Sequence, residues 1–87
     1  MNKFNLKNKT AIITGGAQGF GFDIAKRFLS SGAKVIIWDI DKKQLIKCSK
    51  EIDNKNLSFN VVDVSKFSNV KKIVNKISKN SKIDILI

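Results

Sequence analysis

The sequence has 87 residues, of which 43% are hydrophobic and 28% are charged, and its net charge is +10. A chain of this length holds one small domain, and no apolar run approaches the roughly 18 residues that a membrane-spanning helix needs. The single cysteine excludes an internal disulfide and a cysteine-based metal site, and the lack of histidine excludes a histidine-centred triad or a histidine-ligated zinc.

Short apolar runs alternate along the chain with segments whose apolar residues recur at helical spacing. The apolar runs, typical of buried strands, are in chain order residues 10–14, 35–38, 57–62 and 83–87. The helical segments carry apolar residues at positions 20, 24, 25, 28 and 29, then 45, 48 and 52, then 67, 70, 73, 74 and 77. The order β-α-β-α-β-α-β predicts parallel strands joined by right-handed crossovers, and therefore an α/β fold with a doubly wound parallel sheet.

Polar residues mark the expected starts of two helices. Asp41 lies near the start of the second helical segment, and Ser65 is expected to cap the third. Apolar positions on strands and helices predict several core side chains, including Trp38, Cys48, Phe59 and Phe67.

The basic charge allows two interpretations. A clustered basic face would indicate nucleic-acid binding, whereas scattered lysines are typical of solvated helix surfaces. Sixteen of the 17 basic residues are lysines spread from Lys3 to Lys82, and in two predicted helices they fall opposite the apolar face. We therefore expect no nucleic-acid partner, and salt-dependent DNA or RNA binding would support the alternative. Because the first five residues contain no apolar signal core, we also expect a cytoplasmic protein without a membrane partner.

Glycines occupy the joint between the first strand and the first helix, in the run Thr14-Gly15-Gly16-Ala17-Gln18-Gly19-Phe20-Gly21. Glycine lets the backbone turn tightly and approach a pyrophosphate, and the following helix directs its unpaired N–H groups at the same anion. The alternative is that the glycines serve only to form a tight turn between strand and helix. Asp39 ends the second strand at about the spacing of a ribose-binding carboxylate, and Asp63 ends the third strand at the same sheet edge.

Together these motifs resemble the N-terminal part of the short-chain dehydrogenase/reductase family. The matching features are the glycine motif at Thr14, Gly15, Gly19 and Gly21, the pair Asp63-Val64, and the strand 83–87. In the family, such a pair lies beside adenine and such a strand leads into an Asn-Asn-Ala-Gly motif. The resemblance implies a Rossmann-type sheet in the order 3-2-1-4, truncated after the fourth strand, with residues 1–87 forming a single, incomplete dinucleotide-binding domain.

The resemblance also implies a cofactor site. Nine residues would bind the dinucleotide: Gly15, Gln18, Gly19, Phe20, Gly21, Asp39, Ile40, Asp63 and Val64. The residues up to Gly21 would surround the pyrophosphate, Asp39 would accept from the adenosine ribose, and the last three would contact adenine. A carboxylate at position 39 would repel the 2′-phosphate of NADP, so NAD is the expected cofactor. The alternative is that Asp39 caps the second helix.

The family's chemistry is hydride transfer between nicotinamide and an alcohol/carbonyl substrate, such as a 3-oxoacyl thioester, a sugar or a sterol. It uses a tyrosine, a lysine and a serine that lie downstream of the matching region, and the 87 residues contain no tyrosine. We therefore expect neither catalytic residues nor a metal in this chain, and a homo-oligomeric full-length protein. The alternative is a non-catalytic nucleotide-binding or interaction module.

Overall fold

In a computed structural model, which describes residues 6–17, 19–52, 54–79 and 82–87, strands and helices alternate as predicted. The elements are β1 Thr10–Thr14, α1 Gly19–Ser30, β2 Lys34–Asp39, α2 Lys42–Glu51, β3 Leu57–Val61, α3 Phe67–Ser78 and β4 Ile85–Leu86. The strands pair in parallel in the order β3-β2-β1-β4. This order confirms the predicted Rossmann-type sheet. No helix in the described ranges is long and apolar enough to cross a membrane.

Helices cover both faces of the sheet, because side chains of buried parallel strands alternate between the two faces. On one face, Ile13 and Ile37 pack in a cluster with residues of α1 and α2, and Cys48 of α2 is buried there as predicted. On the other face, Ile12 and Trp38 pack with Val62 against the half-buried apolar side chains of α3. Trp38 is therefore a core residue, as its position on the second apolar run predicted.

The third helix departs from the predictions at its first turn. Lys66, not Ser65, is the N-cap residue, and it makes no side-chain cap bond to a described residue. The Ser65 hydroxyl and N–H both donate to Asp63 instead, so the expected cap is wrong. Phe67 is 78% exposed and Phe59 is 38% exposed, so neither is a core residue. Phe67 is the first residue of α3. Phe59 lies on the outermost strand β3, which has a neighbouring strand, β2, on one side only.

A reciprocal contact joins the outer strand β4 to the centre of the sheet. The Asp84 carboxylate accepts from the Thr10 N–H at 3.0 Å, and the Asp84 N–H donates to the Thr10 carbonyl oxygen at 2.9 Å. At the opposite end, the hydroxyl and N–H of Thr14 both donate to the Ile87 carbonyl oxygen. These bonds align the carboxyl ends of β1 and β4 at the sheet edge where β2 and β3 also end.

Candidate functional site

A turn rich in glycine joins β1 to α1. We call Gly15, Gly16 and Gly19 together the glycine turn. Gly15 and Gly19 both have φ of +63°, a left-handed conformation that L side chains rarely adopt. Gly21 is required for a different reason, because a Cβ there would lie 2.5 Å from the Gly15 carbonyl oxygen and 2.8 Å from the Gly16 Cα. The first turn of α1 therefore packs directly on the glycine turn, with no room for a side chain between them.

Gly16 is a structural residue that the sequence predictions missed. A Cβ at this position would lie 2.8 Å from Cγ2 of Ile37 and 3.1 Å from the Ile13 carbonyl oxygen. The glycine turn can thus lie against β1 and β2 only if Gly16 has no side chain. The available signal was the adjacent Gly-Gly pair, but the contact with Ile37 comes from a different strand.

The N-terminus of α1 lies at the glycine turn and carries no acidic residue in its first turn. The unpaired N–H groups of that turn give it a partial positive charge, which favours an anionic ligand. Phe20 lies at this terminus with 88% of its surface exposed, so its ring is free to contact a bound molecule. Gln18, the other predicted neighbour of the pyrophosphate, lies outside the described residues.

Asp39 connects the glycine turn to the start of α2. Its Oδ2 accepts a long hydrogen bond of 3.4 Å from the Ala17 N–H, and its Oδ1 accepts from the Asp41 N–H at 3.0 Å. Asp41 is the N-cap of α2, where its carboxylate accepts from the Gln44 N–H at 3.2 Å. The alternative that Asp39 caps α2 is therefore wrong, and its carboxylate is instead held beside the glycine turn.

A second carboxylate, that of Asp63, lies just beyond the end of β3. Its Oδ1 accepts from the Ser65 hydroxyl at 2.6 Å and from the Ser65 N–H at 3.0 Å. These hydrogen bonds, together with the positive charge of Lys66, lower the pKa of Asp63 below its ordinary value. Asp63 is therefore an anionic hydrogen-bond acceptor at neutral pH, with both bonds from Ser65 falling on one of its two oxygens.

A cavity of about 180 Å³ lies between the ends of β2 and β3. It is lined by Gly15, Trp38, Asp39, Ile40, Val62, Asp63 and Val64. Five of the nine predicted site residues thus meet around one space, whereas Gly19, Phe20 and Gly21 lie at the start of α1 outside its lining. Ile40 and Val64 are 65% and 56% exposed, so they form an apolar rim.

Two lining residues, Trp38 and Val62, were not predicted as part of the site. Each immediately precedes a predicted acidic residue, Asp39 and Asp63 respectively, and each side chain is almost fully buried. Both belong to apolar runs, which predict buried strand residues and give no sign of a binding site. The cavity they help to form combines apolar walls with two carboxylates, which are the titratable side chains among its described lining residues. Such a site can bind an apolar ring that carries hydroxyl or amine donors.

The chain is similar in sequence to proteins of known family. A family model described as short chain dehydrogenase matches residues 9–87. The chain is 41% identical over 85 residues to the short chain dehydrogenase/reductase dpfgG of Gibberella zeae, covering 95% of this chain and 32% of that protein. It is 40% identical over 86 residues to the 3-oxoacyl-(acyl-carrier-protein) reductase FabG of Chlamydia trachomatis, covering 94% of this chain and 35% of that protein.

A solved structure is also similar. The crystal structure of 3-ketoacyl-(acyl-carrier-protein) reductase from Brucella melitensis, complexed with NADH, superposes with a TM-score of 0.82 at 41% identity. The match covers 93% of this chain and 33% of that one. The chain therefore spans about a third of the length of the proteins it matches.

Proposed function

Because this chain belongs to the short-chain dehydrogenase family, we propose that its residues form the NAD-binding part of an oxidoreductase. The observation that carries this proposal is the cavity at the ends of β2 and β3, where two carboxylates and an apolar rim adjoin the glycine turn. The NADH complex of the structurally similar reductase supports the same cofactor class. Residues 1–87 would then be a single, incomplete dinucleotide-binding domain.

The proposed roles follow from where each group lies. The pyrophosphate would bind at the N-terminus of α1, where the glycine turn lets backbone N–H groups approach an anion and the first turn carries no acidic side chain. Gln18, Gly19 and Phe20 would border the same anion, as the family resemblance implies. NAD supplies the nicotinamide ring that exchanges a hydride, and the residues of this chain hold its adenosine half.

Asp39 would accept from the ribose hydroxyls of the adenosine. Its two oxygens already accept from the Ala17 and Asp41 N–H groups, so the carboxylate is fixed in place before a ligand arrives. Each carboxylate oxygen has two lone pairs, which leaves acceptor capacity for hydroxyl groups. A 2′-phosphate at the same position would bring negative charge against this carboxylate, so NAD should bind more tightly than NADP.

The adenine ring would enter the cavity, between the apolar side chains of Ile40 and Val64. The exocyclic amine of adenine is a donor, and the Asp63 carboxylate is an anionic acceptor beside it. Since the Ser65 bonds fall on Oδ1 of Asp63, Oδ2 offers an acceptor to that amine. The ring would thus be held by packing on its faces and by a charge-assisted hydrogen bond at its edge.

The complete reaction would be hydride transfer between nicotinamide and an alcohol/carbonyl pair. We place the proton-transfer and substrate-binding groups in the two thirds of a full-length protein that lie outside the matched region. A 3-oxoacyl thioester is one candidate substrate, because the Chlamydia trachomatis relative is named as a 3-oxoacyl-(acyl-carrier-protein) reductase. Sugars and sterols are the other classes that the family resemblance implies.

Calorimetric titration with NAD⁺ and NADP⁺ tests the proposal. We expect saturable binding with NAD⁺ preferred, and Asp39→Ala should weaken NAD⁺ binding by roughly 10- to 100-fold, the effect of losing a hydrogen bond to a charged group. Asp41→Ala is the matched control, because it removes a neighbouring carboxylate that caps α2 and does not line the cavity. Equal affinity for the two cofactors, or an Asp39→Ala variant that binds NAD⁺ normally, would contradict the proposed cofactor preference.

A further inference from the structure

Trp38 combines two properties that its core position does not explain. It is the single tryptophan of the 87 residues, and it lines the cavity although its side chain is only 2% exposed. Its indole Nε1–H is buried and has no hydrogen-bond acceptor among the residues that the structure describes. Buried tryptophan N–H groups usually find a partner, so an unpaired one marks a place where an acceptor belongs.

The position of this side chain is fixed from several directions. The indole packs with Ile12 and Val62 on the α3 side of the sheet. Its backbone carbonyl oxygen accepts from the Gly15 N–H at 2.7 Å, which ties this part of β2 to the glycine turn. Trp38 is therefore a rigidly held lining residue of the cavity, and Ile40 and Val64 form the exposed rim of the same cavity.

The cavity has the size of one ring system. At about 180 Å³ it is smaller than the roughly 300–1,000 Å³ of sites that enclose a whole drug-sized ligand. Only one part of a dinucleotide can enter it, and the flat purine suits a cavity lined by Trp38 and by the aliphatic residues Ile40, Val62 and Val64. Purine ring nitrogens are hydrogen-bond acceptors, which is the group that the indole N–H lacks.

We propose that Trp38 contacts the purine base of the bound cofactor and contributes to base recognition in this chain. This inference rests on the proposed NAD-binding function and adds a residue to it. Packing between aromatic rings contributes an affinity equivalent to about threefold to tenfold, so the Trp38 contact should be measurable in the binding of the adenosine half alone.

The indole itself reports the contact. AMP, and separately ribose 5-phosphate, which lacks the base, would be titrated into the 87-residue chain while the Trp38 emission is recorded. A blue-shifted emission before titration verifies that the indole is buried and the chain folded. We expect AMP and NAD⁺ to change the emission saturably, whereas ribose 5-phosphate leaves it unchanged.

Two variants separate base contact from a structural role. Trp38→Leu should lower AMP affinity about threefold to tenfold, and Trp38→Phe, which keeps a ring, should lower it less. Neither should change the affinity for inorganic pyrophosphate, measured by calorimetry. Phe28→Leu is the control, because Phe28 is a half-buried aromatic side chain against the other core cluster and should leave AMP binding unaltered. If Trp38→Leu does not fold, Trp38→Phe and the wild-type emission still decide the question.

The results that would overturn the role of Trp38 differ from those that would overturn the proposed NAD binding. Calorimetric NAD⁺ binding with no change in Trp38 emission, or with normal AMP affinity in both variants, would overturn the role of Trp38 and leave NAD binding standing. The absence of NAD⁺ binding to folded wild-type chain would overturn both. An equal loss of AMP and pyrophosphate affinity in the variants would show a structural effect only, and would also overturn the inference.

Discussion

Replacing Gly21 with alanine should strongly destabilise the chain, because the new Cβ meets backbone atoms and not a flexible side chain. It would lie 2.5 Å from the Gly15 carbonyl oxygen, 2.8 Å from the Gly16 Cα and 3.0 Å from the Gly15 carbonyl carbon. Overpacking typically costs about 1–3 kcal/mol, and this substitution lies at or above the upper end of that range because backbone atoms cannot rotate away. The better helix propensity of alanine returns about 1 kcal/mol, so the net cost is at least about 2 kcal/mol.

That cost is large for a domain of this size, whose free energy of unfolding is about 4–13 kcal/mol at typical values per residue. At roughly 4–8 °C per kcal/mol, the melting temperature followed by circular dichroism should fall by about 8–16 °C. Phe20→Ala is the control one residue away, since the 88% exposed side chain should change stability by less than about 0.5 kcal/mol.

Gly19 gives a second comparison, because it has positive φ but a Cβ there would meet nothing within 4 Å. Asparagine tolerates a left-handed conformation, so Gly19→Asn should be milder than Gly19→Ala. At position 21 the defect is steric, so asparagine should be no better than alanine. A Gly21→Ala variant that melts within about 2 °C of wild type would refute the reasoning, since it would show that the turn and α1 separate easily.

Three further predictions follow from individual contacts. Asp41→Ala should lower stability by about 1 kcal/mol through loss of the α2 cap, with Asp41→Asn close to wild type, as thermal melts would reveal. Because the folded pKa of Asp63 is lowered, its stabilising contribution should be complete above the ordinary aspartate pKa and disappear as pH falls through the lowered one. An acid titration of Asp63→Asn should lack that component, and an identical acid profile would contradict it. Burial, reinforced by Glu51, raises the pKa of the Cys48 thiol, so thiol reagents should react slowly until denaturant unfolds the chain. Rapid labelling of native protein would show that α2 opens readily.

Short stretches of the sequence predict much of this architecture. Apolar runs and helical spacing predicted the order of strands and helices, and the resemblance carried by the glycine motif and its acidic partners implied the strand order that the structure has. The local rules failed at the third helix, where Ser65 bonds Asp63 and Phe67 is exposed. Ser65 has two plausible partners, the helix N-terminus and the Asp63 carboxylate, and the turn at Asp63 decides between them. Phe67 is exposed because none of the described elements covers it.

The amino-acid sequence by itself determined which segments are strands and helices and which residues are chemically able to bind a dinucleotide, because periodicity and residue type are properties of short stretches of chain. Only the tertiary structure decided which of those residues share one space. Gly15, Asp39 and Asp63 come from three different strand ends, and parallel crossovers bring those ends to a single edge. The same packing places Trp38 among the lining residues of the cavity and leaves no room for a side chain on Gly16 beside Ile37. These contacts join residues far apart in sequence, and no local pattern encodes the distance between them.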